Sequence, residues 1–567
     1  MKSTLEQALQ EAVTKLLLNI DTNDTPRVHL TRSKADGHGD YACNIAMVLA
    51  RCLKQKPSDI ATNILFHVQW PAEVCKTEIA GPGFINIHLK AASEANILCS
   101  IVAQGVQYGN QHVTSPQKIC IEFVSANPTG PMHVGHGRGA VLGDSLVRLL
   151  QTQGHDVQRE YYINDAGGQI GVLACSVWAR IKELQGQAVV FPEGGYPGLY
   201  IVDIAREILI SHPFKTLLKM PENERMTLLA DLAVSKNMTL IRADLARLNI
   251  HFDLFFSERQ LHESGAVNTL IQRLQDDNLI FNGILPPPKG KSVSDYTPQV
   301  QPLFKTTSFG DDVDRPVIKQ DGTPTYFAAD IAYHYDKHGR GFDRMIDIWG
   351  ADHGGYVTRV QAAVEALTGL QKQPDVLLVQ MVNLTRNGQP VRMSKRAGTF
   401  VTLEEVVREV GADAVRFNFM TRRAETQFDF DLEQAKLQSN ENPVYYVQYA
   451  HARIYAVLRK AEAMNVRRIA ATDCDLSLLV AKSEQALIAQ LLGYPGLLQK
   501  AADRLEPYRL TNYAMQLAAG FHTFYHQCRI IQDNTALVHA RLLLAEAVAQ
   551  VLHNTLNVLG VSAPEKM

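Results

Sequence analysis

No Cys-x-x-Cys spacing occurs among the eight cysteines, Cys43, Cys52, Cys75, Cys99, Cys120, Cys175, Cys474 and Cys528. Neither a disulfide framework nor a zinc ribbon is indicated, and the thiols are expected to be buried. Charge of one sign is lacking too: 56 Lys and Arg face 58 Asp and Glu, a net charge of −2. That balance argues against binding nucleic acid by bulk charge and leaves room only for a local basic groove. Apolar runs fall short of the ~18 uncharged residues a membrane span needs; residues 542–559 are interrupted by Glu546, Gln550, His553 and Asn557. Residues 1–20 carry Glu6, Gln10, Glu11 and Lys15 between apolar positions, an amphipathic helix and not a secretory signal. A cytoplasmic protein with no membrane contact is expected. No repeat of fixed period is present.

At roughly 150 residues per domain, 567 residues predict three to four domains. Residues 1–110 open with helical periodicity and close on a Gly81-Pro82-Gly83 turn followed by alternating Ile85, Ile87 and Leu89, a small α+β module. Residues 111–415 begin with the apolar run Ile119 to Val124, then a Pro-Thr-Gly-Pro turn and a helix with Leu142, Leu146, Leu149 and Leu150 on one stripe. Strand-like runs follow at 345–349 and 376–382, with a helical pattern over 356–367. Strands alternating with helices predict a doubly wound parallel α/β sheet. Between about 175 and 315 the alternation lapses into helices, a Gly-rich loop and a Pro-rich linker, read as an insertion outside the sheet. Residues 416–567 read as all-helical, with Gly560 as the final helix stop.

Chemistry concentrates where the first strand of this sheet meets its helix, at Asn127-Pro128-Thr129-Gly130-Pro131-Met132-His133-Val134-Gly135-His136-Gly137-Arg138-Gly139. Free backbone N–H groups and the positive end of a helix dipole converge there, which makes an anion site. His133 and His136, at i and i+3, share a face from which both can donate to one phosphate group. Gly135, Gly137 and Gly139 let a flat base or sugar approach the backbone. Alone, the stretch also fits a glycine-rich turn with two satisfied histidines. About 260 residues later comes a basic loop, Arg392-Met393-Ser394-Lys395-Arg396, whose charges suit the outer phosphates of a nucleotide.

These two stretches resemble the paired HIGH and KMSKS motifs of class I aminoacyl-tRNA synthetases. The surrounding sequence is similar to the arginyl-tRNA synthetase family: Glu122-Phe123-Val124-Ser125-Ala126-Asn127, Tyr162-Ile163-Asn164-Asp165-Ala166-Gly167-Gly168-Gln169, Thr325-Tyr326-Phe327-Ala328-Ala329-Asp330, Gly350-Ala351-Asp352-His353 and Asn442-Pro443-Val444-Tyr445-Tyr446. Similarity runs from Gly39 to the last residue. It implies a class I Rossmann-like catalytic domain, an N-terminal tRNA-binding module and a helical anticodon-binding domain.

The resemblance also implies residue roles. His133, His136 and Lys395 stabilise the transition state. Gly135, Gly350, Asp352, Met381, Val382, Arg392, Met393 and Ser394 hold ATP. Tyr326 and Asp330 take the arginine side chain, Glu122 and Asn127 its α-amino and carboxylate ends, and Gln361 aligns with a further contact. A planar, permanently charged guanidinium calls for such a carboxylate and ring, and Tyr326 and Asp330 stand at i, i+4. Asn164, Asp165 and Gln169 fit either the pocket or a turn. Tyr445, Tyr449, Arg453, Tyr525 and Met567 match tRNA contacts, and interleaved aromatic and basic groups suit stacking on splayed bases. One departure stands out: the first lysine of KMSKS is Arg392 here.

The implied reaction is ATP-dependent ligation of L-arginine to tRNA(Arg) through arginyl-adenylate, with tRNA bound before activation. Mg²⁺ arrives with ATP, no protein-ligated metal is expected, and the chain is expected to be a monomer. Rival readings are a synthetase for another amino acid, a small adenylyltransferase, or a non-catalytic RNA-binding relative. Length and the helical third weigh against the adenylyltransferase, and intact His133, His136 and Lys395 against the last.

Overall fold

The computed structural model describes residues 2–17, 26–33, 39–71, 74–89, 94–285, 299–319, 321–391 and 401–567. The chain divides into two compact units: Met1–Tyr108 with Ile454–Tyr494 and Ala519–Val551, and Gly109–Arg453 with Pro495–Ala518 and Leu552–Met567.

In the first unit the N-terminal residues form a four-stranded antiparallel sheet, in the order Leu30–Arg32, Tyr41–Cys43, Phe84–Leu89 and Val74–Ala80. The alternation at Ile85 and Ile87 does its expected work: both are fully buried, with Leu5, Leu9, Leu49, Ile60 and Ile64 in the same core. Gly83 has φ +137, and a Cβ there would lie 2.7 Å from Pro57 Cβ, so the Gly-Pro-Gly turn needs its glycine.

The second unit is built on five parallel strands: β1 Lys118–Glu122, β2 Asp156–Ile163, β3 Leu254–Ser257, β4 Arg344–Gly350 and β5 Asp375–Val379. Their spatial order is β5-β4-β1-β2-β3. The chain winds one way from β1 through β3 and the other way through β4 and β5, so the order reverses between β1 and β4. In doubly wound sheets ligands bind at the carboxyl ends of the strands at that reversal. The helices used below are α1 Val134–Thr152, α2 Gly168–Leu184, α3 Tyr326–Gly339, α4 Val357–Thr368 and α5 Leu403–Val410.

Four readings of the sequence need correction. Leu254–Ser257 lies inside the segment taken as an insertion, yet it pairs with β2 as an edge strand of the sheet. Its four residues are too short to show alternation; Phe255 stands 5.2 Å from the Tyr161 ring, and that packing holds the strand. The run 376–382 is two elements: β5 ends at Val379, and Val382–Arg386 starts another sheet, parallel to Phe428–Asp431 within the supposedly all-helical third. Cys52, Cys75 and Cys175 are exposed thiols, while Cys43, Cys120 and Cys528 are buried as expected. Finally, Thr535–Val558, at a mean hydropathy of 1.4 over its most apolar stretch, is long and apolar enough to cross a membrane by length and composition. More than half of that stretch is buried inside the protein, so the core helix of a folded domain accounts for it.

Helix α1 packs directly on β1. Gly143 faces Phe123 so closely that a Cβ would fall 2.2 Å from the ring's Cγ, and Phe123 is itself fully buried. Gly143→Ala is expected to destabilise the protein by about 1–3 kcal/mol, the cost of overpacking a filled core. A thermal unfolding scan showing no drop in Tm would contradict this packing.

Candidate active site

Immediately after β1 the backbone turns through a strained pair, Val124 at φ 70 and Ser125 at φ 38. A β-branched residue in the left-handed region costs about 1–3 kcal/mol and persists only where its surroundings enforce it. Here Ser125 Oγ donates to Glu122 Oε1 at 2.9 Å and accepts from Tyr162 N at 3.1 Å, latching the turn to β1 and β2.

His133 is the N-cap of α1. Its Nδ1 accepts from Gly135 N at 3.1 Å, while His136 Nδ1 accepts from His133 N at 3.3 Å. The rings stack with centroids 3.7 Å apart. Because a backbone N–H donates to each Nδ1, both neutral rings carry their hydrogen on Nε2. Two Nε2–H donors thus stand at the positive end of a 19-residue helix, at the sheet's reversal point. A Cβ on Gly135 would come within 2.9 Å of the His133 ring and 3.7 Å of Met381 Cε, so glycine is required there and Met381 lies beside the histidines.

Arg138 of α1 explains how Met381 and Val382 arrive. Its buried guanidinium donates to the carbonyls of Gln380 (3.0 Å), Thr426 (2.7 Å) and Arg423 (2.8 Å), and burial lowers its pKa to about 10. That grip fixes the end of β5 and accounts for the break in the 376–382 run. Gly350 ends β4 on the other side of the reversal, followed by a largely exposed Asp352.

Arg392, Met393, Ser394 and Lys395 lie outside the described residues. Their downstream flank does not: Thr402 forms a β-bridge with His133, and Leu403 N donates to Met132 O at 2.8 Å. The bridge sets Thr402 beside the paired histidines, although 269 positions separate it from His133 in sequence.

Next to this lies a carboxylate pocket. Tyr326 opens α3, exposed, with its hydroxyl accepting from Gly168 N at 3.4 Å. One turn on, Asp330 accepts from Tyr356 Oη at 2.5 Å. Burial raises Asp330, against the pull of the Tyr356 bond and His334, and with Glu258 and Glu122 nearby its pKa is pushed up to about 6. Glu258 and Tyr356 stand beside Asp330 and were missed in reading the sequence: the first follows the overlooked strand β3, and the second opens the helical pattern read over 356–367, whose period does not say that its hydroxyl meets Asp330. Asn127 is exposed and donates to Gln169 Oε1 at 2.8 Å, which ties Gln169 to the site. Asp165 holds Ser257 Oγ at 2.7 Å and Arg259 N at 2.9 Å, a turn-bracing role. Gln361 is not brought to the pocket: its amide donates to the carbonyls of Pro374 (2.9 Å) and Lys372 (3.4 Å), at the amino end of β5.

Beneath the pocket Glu122 is paired with Lys337, whose Nζ donates to Glu122 Oε2 at 2.8 Å and Asp347 Oδ1 at 2.9 Å. Burial would raise Asp347, but Lys337 and His334 outweigh it and hold it at about 2. Glu122, His334 and Asp347 have metal-ligand spacing, and the Lys337 ammonium is bonded to both of that cluster's carboxylates.

On helix Pro443–Ala463, Tyr445 and Tyr449 stack with centroids 5.9 Å apart and planes 8° from parallel. Arg453 lies 4.5 Å over the Tyr449 ring and donates to its hydroxyl at 2.5 Å, so the three form one half-buried stripe. Met567, in the same unit, is 57% exposed; Tyr525 belongs to the other unit and is 39% exposed.

Comparison with known proteins agrees with this geometry. The family model described as tRNA synthetases class I (R), catalytic domain, matches residues 97–433. Arginyl tRNA synthetase N terminal domain matches residues 2–89 and DALR anticodon binding domain residues 447–567. The chain is 47% identical to the arginine–tRNA ligase of Magnetococcus marinus, over 100% of both chains. It is 44% identical to that of Roseobacter denitrificans, over 100% of this chain and 99% of the relative. Thermus thermophilus arginyl-tRNA synthetase shares the fold, with a TM-score of 0.75 at 21% identity over 100% of both chains. Site, sheet and sequence converge: the chain belongs to the arginyl-tRNA synthetase family of class I aminoacyl-tRNA synthetases.

Proposed function

We infer that this protein ligates L-arginine to tRNA(Arg) at the expense of ATP, through arginyl-adenylate, with tRNA bound before activation. The observation that carries the reading is the pair of Nε2–H donors on His133 and His136 at the N-terminus of α1, at the reversal point of a parallel sheet. An ATP triphosphate laid over that terminus meets both imidazoles and the Lys395 ammonium, with Arg392 and Ser394 beside it. Gly135 and the Met381–Val382 backbone receive the adenine side, and Gly350 and Asp352 the ribose.

The arginine guanidinium pairs with Asp330 against the Tyr326 ring, its α-ammonium with Glu122 and its carboxylate with Asn127; Glu258 adds a second carboxylate near Asp330. One carboxylate oxygen attacks the α-phosphorus in line. The new O–P bond forms as the bond to the bridging oxygen breaks and pyrophosphate leaves. No side-chain nucleophile takes part, so catalysis is positioning plus electrostatic stabilisation by His133, His136 and Lys395. The terminal 2′-hydroxyl of tRNA then attacks the acyl carbon and AMP departs. Mg²⁺ arrives on the ATP phosphates and spreads their charge; the Glu122–His334–Asp347 cluster is not its seat, because Lys337 already supplies that cluster's positive charge.

The domains divide as residues 1–110 for the outer part of the tRNA, 111–415 for catalysis with an insertion at about 175–315, and 416–567 for the anticodon. Stacked Tyr445 and Tyr449 with Arg453 offer bases a platform, and Tyr525 and Met567 add contacts. The protein acts as a monomer in the cytoplasm.

Charging total tRNA with each of the twenty amino acids tests the reading. Arginine alone is expected to be accepted, and charging by another amino acid instead would overturn it. Lys395→Ala is expected to slow tRNA-dependent pyrophosphate exchange by about 10²–10³-fold, the loss typical of one transition-state donor, while leaving tRNA binding by filter assay intact. Unchanged exchange would remove Lys395 from the mechanism.

Asp330 gives a pH prediction. A guanidinium needs the ionised carboxylate, and the free group titrates at about 6. Arginine affinity is expected to be level above about pH 7 and to fall as pH drops through 6, by up to about tenfold per pH unit. Asp330→Asn should weaken binding throughout and abolish that acid limb. Equilibrium dialysis across this range decides it; a flat wild-type profile contradicts the assignment.

A further inference from the structure

Three carboxylates occupy one rung of the parallel sheet. Glu122 is the register partner of Glu160 on β2 and of Asp347 on β4, and all three are buried. Like charges side by side in a sheet repel, and burying each one costs several kcal/mol in hydration. Helix α3 and the residue after it lie over the rung and answer it. Arg340 makes a two-pronged bond to Glu160 at 2.6 and 2.8 Å. His334 faces Asp347 Oδ2 at 2.7 Å and the Asp330 carbonyl at 2.8 Å. Lys337, fully buried and 4.3 Å over the Tyr333 ring, bridges Glu122 and Asp347.

An apolar rung would fill the same space at no electrostatic cost, so stability alone does not explain this one. Glu122 differs from its two neighbours in place: it ends β1, at the reversal point, beside the strained 124–125 turn. Each of its oxygens already accepts one bond, Oε2 from Lys337 and Oε1 from Ser125. A carboxylate has about four lone-pair sites, so both oxygens can accept again, from a group meeting a carboxylate already paired and oriented.

We propose that Lys337 is the positioning residue for recognition of the substrate's α-ammonium: it never touches substrate, but fixes the charge and direction of the Glu122 carboxylate that does. The inference rests on the assignment of Glu122 to the α-ammonium. Burial would lower the Lys337 pKa, but Asp347 and Glu122 reverse this and raise it, so the ammonium stays charged throughout the working range. Without it, two adjacent buried carboxylates share only His334. Asp347 keeps its His334 partner, whereas Glu122 is left with the Ser125 hydroxyl and no cationic partner. A Glu122 side chain without its cationic partner no longer presents a fixed carboxylate to an ammonium, whereas Asp330, four residues before His334, still holds a guanidinium.

The test compares L-arginine with 5-guanidinopentanoate, the same molecule without its α-amino group, by equilibrium dialysis in the presence of total tRNA. Wild-type protein is expected to prefer arginine by about tenfold or more. Lys337→Met should abolish that preference by weakening arginine alone, the analogue's affinity staying within about twofold. A variant that keeps the preference, or loses both ligands equally, overturns the proposal and leaves Lys337 a structural residue. Should Lys337→Met not fold, Lys337→Gln, which removes the charge but keeps a hydrogen-bond donor, is read the same way. Wild-type protein that binds both ligands equally sinks the Glu122 assignment itself, and the proposal with it; wild-type preference retained in the variant sinks the proposal alone.

Discussion

The acidic rung Glu160–Glu122–Asp347, neutralised from one side by Arg340, Lys337 and His334, is the interaction on which the rest of the catalytic unit depends. Three adjacent strands contribute the carboxylates and α3 with the residue after it supplies all three partners. The helix therefore has one register on the sheet, since sliding it by a turn would strand a buried charge at a cost of several kcal/mol. That register places Asp330 and Tyr326, one and two turns before His334 on the same face, at the carboxyl ends of β1 and β2. These two proposed arginine-binding side chains thus inherit their position from a network in which they take no part.

A second constraint meets the first at the end of β1. The left-handed Val124–Ser125 pair reverses the chain, Ser125 latches it, and α1 begins with two imidazoles whose Nδ1 atoms are occupied by the helix's own backbone. Capping thereby decides the tautomer, and the tautomer decides that donors face outward. Arg138, one turn further, carries the same helix's influence to Gln380 and so to Met381 and Val382. Asp144, deeper in α1, receives Arg148 at 2.8 Å and the fully buried Arg416, which also donates to Leu559 O at 2.8 Å. One helix thus joins the paired histidines, the end of β5 and the C-terminal end of the same unit.

Much of this was legible in the residues, and the gaps have physical causes. Leu142, Leu146, Leu149 and Leu150 announced α1, and the glycine and histidine spacing announced two imidazoles at its start, because both depend on local geometry. Tyr326 and Asp330 at i, i+4 were readable for the same reason. Lys337 was not singled out, although it continues that face, because lysine is rarely buried and nothing local says which one will be. Strand β3 escaped because four residues carry no period, and Glu258 was lost with it. The break at Gln380 was invisible because its cause, Arg138, lies 242 positions away. Gln361 failed for the opposite reason: similarity of position put it in a pocket that helix α4 turns away from, toward Lys372 and Pro374.

The proposed mechanism requires His133, His136 and Lys395, distant in sequence, to serve one triphosphate. A crystal structure of the protein with a non-hydrolysable ATP analogue, arginine and tRNA measures this directly. His133 Nε2, His136 Nε2 and Lys395 Nζ are expected within about 3.5 Å of oxygens of the same triphosphate. A nucleotide seated away from the N-terminus of α1, or a Lys395 ammonium that reaches none of its phosphates, would contradict it.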